Sequence, residues 1–80
     1  MKVRVLAFAR VRELLGPPRE VELAPGATAG ALWDHLAKSC NELPQLAPST
    51  RIARNGRLVR REETLQDGDE VALLPPAGGG

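Results

Sequence analysis

One long amphipathic segment constrains the fold of this 80-residue chain more than any other feature. Thr28 is a suitable N-cap, and Pro44 interrupts the backbone hydrogen bonding of any helix that reaches it, so the sequence predicts a helix from Thr28 to about Leu43. Apolar residues recur along one face of this helix, at Leu32, Leu36, Cys40 and Leu43. Such a stripe has to be buried against a second layer, and the rest of the chain must supply it.

Alternating apolar and polar residues predict strands before and after this helix. They cover residues 1–8, 19–23, 51–54, 57–60 and 70–74. A short helix from Ala9 to Leu15, ended by Gly16, separates the first two strands. Asn55-Gly56 is a strong signal for a two-residue hairpin turn between the third and fourth.

These elements predict an α+β fold, in which a mixed sheet of about five strands packs one face on the long helix. With the last strand in the middle, beside the first, the fold is a β-grasp, or ubiquitin-like, roll. Residues 1–76 are expected to form this domain, and residues 77–80 a flexible C-terminal glycine tail. Residues 45–50 are expected to be a polar loop, and Leu65 to point inward.

Composition argues against several functional classes. The net charge is +1, and the only aromatic residues are Phe8 and Trp33, which does not suit a nucleic-acid binder. No apolar run approaches the roughly 20 residues of a membrane span. The single cysteine, Cys40, leaves no internal disulfide and fits a reducing compartment. A cytoplasmic protein that binds neither nucleic acid nor membrane is therefore expected.

The residues that most often carry chemistry do not form a site in this pattern. His35 has no Cys or carboxylate cluster at metal-ligand spacing, so it is interpreted as a half-exposed helix residue, and no metal is expected. Cys40 lies on the apolar stripe and is interpreted as a core residue. Asp67-Gly68-Asp69 before a strand is typical of a turn. The remaining candidate reactive group is the C-terminal carboxylate of Gly80.

The last residues, Pro75-Pro76-Ala77-Gly78-Gly79-Gly80, permit two interpretations. A glycine-rich end is often simply disordered. Alternatively, glycine has no Cβ, so the tail can enter a narrow tunnel and present its carbonyl carbon to attack. The two prolines end the last strand and hold the tail clear of the sheet. At about 3.3 Å per residue, the segment from Pro75 to Gly80 spans about 20 Å.

Strand parity also predicts an apolar surface on the open side of the sheet. If Val3, Val5 and Ala7 face the helix, then Leu6 and Phe8 face away from it. The same count places Leu58 and Leu74 on the open side. We expect Phe8, Leu58 and Leu74 to form one patch near the root of the tail, rimmed by arginines, as in protein-binding surfaces. The alternative is a set of scattered surface side chains.

Three stretches carry a family resemblance: FARVRELLG at residues 8–16, LQDGDEVALLPP at residues 65–76, and the terminal Gly79-Gly80. Together with Asn55-Gly56, they resemble the small, sulfur-carrier subunits of molybdopterin synthase, and the likeness spans the whole chain. The family usually has a larger residue where this chain has Gly78, which leaves the terminal diglycine intact.

The resemblance implies that Gly80 is adenylated by an activating enzyme that uses ATP and Mg²⁺, and is then converted to a thiocarboxylate. It also implies that the tail, with Gly78 and Gly79, inserts into the large subunit of a heterotetrameric synthase, whose residues catalyse sulfur transfer to cyclic pyranopterin monophosphate. The small subunit itself would bind no cofactor. Phe8, Leu58, Leu74, Pro75 and Pro76 are the expected partner-binding residues.

Other functions remain open at this point. A related carrier for thiamine synthesis or tRNA thiolation is one, although such carriers are often shorter and lack the helix at residues 9–15. A ubiquitin-like modifier, joined to lysines through Gly80, is another. A plain interaction domain is the third.

Overall fold

The computed structural model describes residues 1–76; the predicted glycine tail, residues 77–80, lies outside the described residues. Along the chain the elements are β1 (Lys2–Ala7), α1 (Ala9–Leu15), β2 (Arg19–Glu22), α2 (Ala29–Ala37), a 3₁₀ helix (Leu43–Ser49), β3 (Arg51–Arg54), β4 (Arg57–Val59) and β5 (Glu70–Leu74). Within residues 1–76, no helix has the length and apolar character needed to cross a bilayer.

The five strands form one mixed sheet in the order β2-β1-β5-β3-β4. β1 and β5 are parallel, and the other neighbouring pairs are antiparallel. β3 and β4 are joined by the predicted two-residue turn, in which Asn55 and Gly56 both have positive φ (49° and 86°), as a type I′ turn requires. The α+β β-grasp fold is therefore confirmed, with the last strand beside the first.

The core lies between one face of the sheet and α2. In β1 the side chains of Val3, Val5 and Ala7 are buried, as the alternation predicts, and β5 contributes Val71 and Leu73. α2 buries one face against them through four residues: Ala29, Leu32, Trp33 and Leu36. Leu65 is 2% exposed, so its predicted inward position is also confirmed.

The predicted length of α2 is wrong. Its start agrees, since the Thr28 hydroxyl accepts the Ala31 amide at 3.1 Å. The helix ends at Ala37, where the backbone tightens and both the Ser39 amide and its hydroxyl bond the Leu36 carbonyl. Leu43 still reaches the core, with 0% exposure, but does so from the 3₁₀ helix.

The predicted polar loop at residues 45–50 is wrong as well, because most of it belongs to the 3₁₀ helix with Pro48 inside. A short 3₁₀ helix tolerates proline, which has no backbone N–H, because few of its backbone amides have to donate hydrogen bonds. The Thr50 hydroxyl donates to the Leu46 carbonyl at 2.7 Å and fixes the exit into β3. The 3₁₀ helix packs against α1 and α2, and so forms part of the surface near the end of β5.

Candidate functional site

The chain leaves the sheet from its centre. β5 lies between β1 and β3, and its last pairs join Leu73 to Ala7 and Ile52, and Leu74 to Arg51. Pro75 and Pro76 follow and are exposed. Proline has no amide hydrogen for a ladder, so the strand cannot continue past Leu74. The root of the tail is therefore held from both sides by paired strands.

The junction between β1 and α1 lies next to this root. The Phe8 amide donates to the Leu73 carbonyl at 3.1 Å, which extends the β1–β5 pairing by one residue. Ala9 then turns the chain with φ of 55°, a left-handed conformation that costs a residue with a Cβ roughly 1–2 kcal/mol. The Phe8 side chain, just before this turn, is 46% exposed beside the end of β5.

The open face of the sheet carries the three apolar residues predicted from parity. Phe8 and Leu58 are 46% and 52% exposed, and Leu74 is half-buried. Continuing the β1–β5 register by one pair places Phe8 beside Leu74. Leu58 lies further away, on the edge strand β4, two strands from β5. The structure thus brings Phe8 and Leu74 together and places Leu58 at the other side of the same face.

Two alanines lie on the open face between Leu74 and Leu58. Along one cross-strand row the register pairs Leu6 with Ala72, Ala72 with Ala53, and Ala53 with Leu58. Ala53 is only 6% exposed although it lies on the face opposite the core. Sequence analysis did not assign Ala53 and Ala72 to this surface, although the period of two in β3 and β5 was the available signal. We call Leu6, Phe8, Ala53, Leu58, Ala72 and Leu74 the open-face surface.

A small cleft of about 60 Å³ lies against the tail root. Phe8, Pro75 and Pro76 line one part of it, and Leu46 of the 3₁₀ helix and Thr50, which follows that helix, line another. The segment predicted to be a polar loop therefore contributes to the surroundings of the tail root. Pro75 and Pro76, the other expected partner-binding residues, lie at this cleft beside Phe8.

The opposite end of β5 is fixed by a buried carboxylate. Asp69 is 5% exposed and accepts hydrogen bonds from the Arg54 guanidinium, the Asn55 side-chain amide and the Gln66 backbone amide. Arg54 also donates to Glu63 at 3.0 Å. Sequence analysis interpreted Asp67-Gly68-Asp69 as a turn, which is correct, but missed the role of Asp69 in joining that turn to the β3–β4 hairpin.

This network changes the acidity of Asp69. Burial raises the pKa of the carboxyl, but the hydrogen bonds from Arg54, Gln66 and Asn55 together outweigh it, so the pKa lies below its usual value. The same contacts raise the pKa of Arg54, with the hydrogen bond to Asp69 as the largest cause. Asp69 is thus a charged, bonded structural residue, far along β5 from the tail.

The other chemically versatile side chains lie apart from one another. His35 is exposed on α2, and Cys40 is half-buried against the core. Asp67 accepts the Lys2 backbone amide at 2.8 Å. Among residues 1–76, no group of three or more His, Cys, Asp or Glu side chains is placed to hold a metal ion. Gly78, Gly79 and Gly80 lie outside the described residues.

The fold and this surface define a class, the ubiquitin-like β-grasp domains whose central strand leads into a C-terminal diglycine segment. The ThiS family matches residues 5–80, and the chain belongs to it. It is 38% identical to the molybdopterin synthase sulfur carrier subunit of Escherichia coli, over 98% of this chain and 99% of that protein. The subunit of the same name from Mycobacterium tuberculosis is 37% identical, over 100% of this chain and 99% of that one.

Solved structures give the same result. A putative molybdopterin converting factor subunit 1 from Pyrococcus furiosus is 34% identical and superposes with a TM-score of 0.82, covering 96% of this chain and 99% of that one. Small archaeal modifier protein 1 of Haloferax volcanii is 27% identical, with a TM-score of 0.82 and coverages of 95% and 98%. A chain in the complex of subunits 1 and 2 of molybdopterin-converting factor from Helicobacter pylori is 25% identical, with a TM-score of 0.71 and full coverage of both.

Proposed function

We propose that this chain is the sulfur-carrier small subunit of a molybdopterin synthase. The observation that carries the proposal is the position of β5, which ends at the centre of the sheet with Leu74 on the open-face surface, four residues before Gly78-Gly79-Gly80 in the sequence. The full-length similarity to proteins named molybdopterin synthase sulfur carrier subunit supports it.

In the proposed reaction the chain supplies one group, the Gly80 carboxylate. A carboxylate is a poor electrophile, so an activating enzyme first joins it to AMP, using ATP and Mg²⁺ and releasing pyrophosphate. A sulfur donor displaces AMP and leaves a thiocarboxylate, an anionic nucleophile at neutral pH. Its sulfur passes to cyclic pyranopterin monophosphate, and two such transfers build the dithiolene of molybdopterin. Hydrolysis returns Gly80 to a carboxylate.

The partner in the second step is the synthase large subunit, whose side chains catalyse the transfer. Support comes from the Helicobacter pylori structure, which is a complex of subunits 1 and 2. A heterotetramer of two small and two large subunits is the expected assembly. The open-face surface would dock first, and residues 77–80, which have no side chain larger than methyl, would then enter the catalytic tunnel.

A second function has its own support, because small archaeal modifier protein 1 has the same fold. In that function Gly80 would be joined to lysine side chains of other proteins. Mass spectrometry of protein purified from its native host separates the two. A carrier shows the mass increase of one oxygen-to-sulfur exchange at Gly80, whereas a modifier shows the added mass of a target. If protein purified from cells making molybdopterin contains no thiolated fraction and no conjugated fraction, both functions are contradicted.

A further inference from the structure

The positive charge of this chain is concentrated in one hairpin. Residues 51–61 contain five of the 11 Lys and Arg residues and none of the 10 Asp and Glu residues. That segment therefore carries +5 and the rest of the chain −4, although the net charge is only +1. The chain is therefore nearly neutral overall, but its positive charge is unevenly distributed along the sequence and is densest at β3 and β4.

The β3–β4 register places arginines opposite each other at both ends. Near the turn Arg54 pairs with Arg57, and there Glu63 and Asp69 compensate Arg54. Continuing the register by one pair places Arg60 opposite Arg51. Like charges in directly opposite positions destabilise a sheet. Both arginines are exposed, and neither takes part in an ion pair among residues 1–76. We call Arg51 and Arg60 the basic corner.

The basic corner lies at the root of the tail. Arg51 is the register partner of Leu74, the last residue of β5. A cleft of about 240 Å³ opens at this point, and Arg51, Arg60 and Arg61 line it together with Leu58. Arg61 is held in place by the Trp33 ring, 5.3 Å from its guanidinium, and by the Ala47 carbonyl. The corner is therefore continuous with the open-face surface at Leu58 and Leu74.

We propose that the basic corner binds carboxylates on the protein that docks against the open-face surface. The proposal rests on the proposed function, and it specifies the chemistry of the partner: an apolar patch flanked, opposite Arg51 and Arg60, by Asp or Glu side chains. Pairing with those carboxylates removes the repulsion between two facing arginines and fixes the register of docking, which is the usual contribution of charges at an interface rim.

Two other anions fit the location less well. The phosphate of an adenylate on Gly80 lies about 20 Å from Leu74 when the tail extends into a partner, too far to reach Arg51. Single-stranded nucleic acid is bound through several stacked aromatic side chains, yet the chain has two aromatic residues and one of them, Trp33, is buried in the core. A carboxylate on a docked protein requires neither a position at the end of the tail nor aromatic stacking.

The first test is calorimetric titration of the full-length chain with the molybdopterin synthase large subunit of the same organism. We expect the double variant Arg51→Gln/Arg60→Gln to bind about tenfold more weakly at low salt and to converge with the wild type near 1 M salt, where screening is nearly complete. Arg19→Gln/Lys38→Gln removes the same charge from exposed positions elsewhere and should leave affinity unchanged within about twofold. Equal effects of the two double variants would overturn the proposal.

The second test does not depend on that partner. Hexaglutamate added to the isotope-labelled chain should shift the backbone amide signals of Arg51, Arg60 and their neighbours, and these shifts should vanish in Arg51→Gln/Arg60→Gln. AMP, added to give the same total concentration of negative charge as hexaglutamate, should shift these backbone amide signals less. The proposal would be contradicted if hexaglutamate shifted the signals of all exposed arginines equally, or if AMP shifted those of Arg51 and Arg60 more than hexaglutamate does. If removing residues 77–80 alone shifts these signals, the corner binds the chain's own carboxylate instead.

These two tests also separate the failure of the inference from the failure of the function. If the wild-type chain binds the large subunit and the double variant binds equally well at every salt concentration, the carrier function stands and the corner is not a docking element. If the wild-type chain does not bind the large subunit at all, the proposed function fails, and the hexaglutamate titration alone decides whether the corner recognises carboxylates.

Discussion

At the scale of single residues, exposure and burial separate the docking residues from the structural ones. Phe8 and Leu58 are large apolar side chains left in solvent, while Asp69, a charged residue, is almost fully buried. Both departures from the ordinary distribution have a physical reason. Phe8 continues the alternation of β1 and lies on the face opposite Val3, Val5 and Ala7, and Asp69 is compensated by three hydrogen bonds.

Phe8→Arg or Leu74→Arg should weaken binding to both the activating enzyme and the large subunit, because we propose that one surface serves the two partners in turn. A charge buried in an apolar interface costs several kcal/mol, so the loss should exceed about 100-fold. The two partners should also compete in a calorimetric titration. Ala31→Arg, which adds the same side chain on the exposed side of α2, is the control. Simultaneous, independent binding of both partners would refute a shared surface.

Asp69→Asn should lower the stability of the domain by about 2 kcal/mol near neutral pH, because the carboxylate bonds to Arg54 and Asn55 weaken or are lost. The folded-state pKa of Asp69 is depressed, so its stabilisation is complete above the unfolded-state value of about 4 and disappears as pH falls through the folded-state pKa. Urea unfolding of both proteins between pH 7 and pH 2 measures this.

The difference between wild type and Asp69→Asn should therefore be constant above about pH 5 and shrink toward strong acid. Asp34→Asn, the same change on the exposed face of α2, is the control and should alter stability by less than about 0.5 kcal/mol. A difference that does not vary with pH would show that Asp69 acts through its shape alone.

At the scale of elements, the strands, both ends of α1 and the start of α2 were predictable, and the C-terminal end of α2 was not. Alternation in residues 1–8 and 70–74 fixes which side chains face the core, and Asn55-Gly56 fixes the hairpin turn. The apolar stripe correctly identifies Leu32, Leu36 and Leu43 as core residues. It cannot show that Leu43 belongs to a separate 3₁₀ helix. Periodicity indicates which side chains face the core, but it does not show whether they belong to one continuous helix.

The surface around the tail root was predictable only in part for the same reason. Parity identified Phe8, Leu58 and Leu74, since each is large and apolar at an outward position. It gave no signal for Leu46, whose place at the tail-root cleft depends on a 3₁₀ helix formed by a proline-interrupted sequence. The clustering of arginines is visible in the sequence, but their opposition across β3 and β4 requires the register.

For the tail itself, Gly79→Leu should block adenylation or sulfur transfer, because a tunnel that admits a bare backbone excludes a branched side chain. Gly78→Ala should be tolerated, since it adds only a methyl group, as at Ala77, and leaves the terminal diglycine intact. Pyrophosphate release with the activating enzyme and product formation in a reconstituted assay measure the two steps. Melting temperature should change little in either variant. Full turnover by Gly79→Leu would rule out a narrow tunnel.

At the scale of the whole molecule, the order β2-β1-β5-β3-β4 connects the fold to the proposed function. β5 is hydrogen-bonded on both sides, to β1 and to β3, so the strand that precedes the proposed carrier segment is anchored in the sheet. The helices cover one face and leave the other for docking. Charge is divided as well, with Arg51 of β3 and Arg60, which follows β4, supplying the basic part of the open face.

The central claim is that the carboxylate of Gly80 carries the sulfur. The most direct test is molybdopterin formation in an assay reconstituted from the thiocarboxylated chain, the large subunit and cyclic pyranopterin monophosphate. We predict full activity for the chain ending at Gly80 and none for a chain ending at Gly79, with the same melting temperature for both because the described core is built from residues 3–73. Normal molybdopterin formation by the chain ending at Gly79 would contradict the claim.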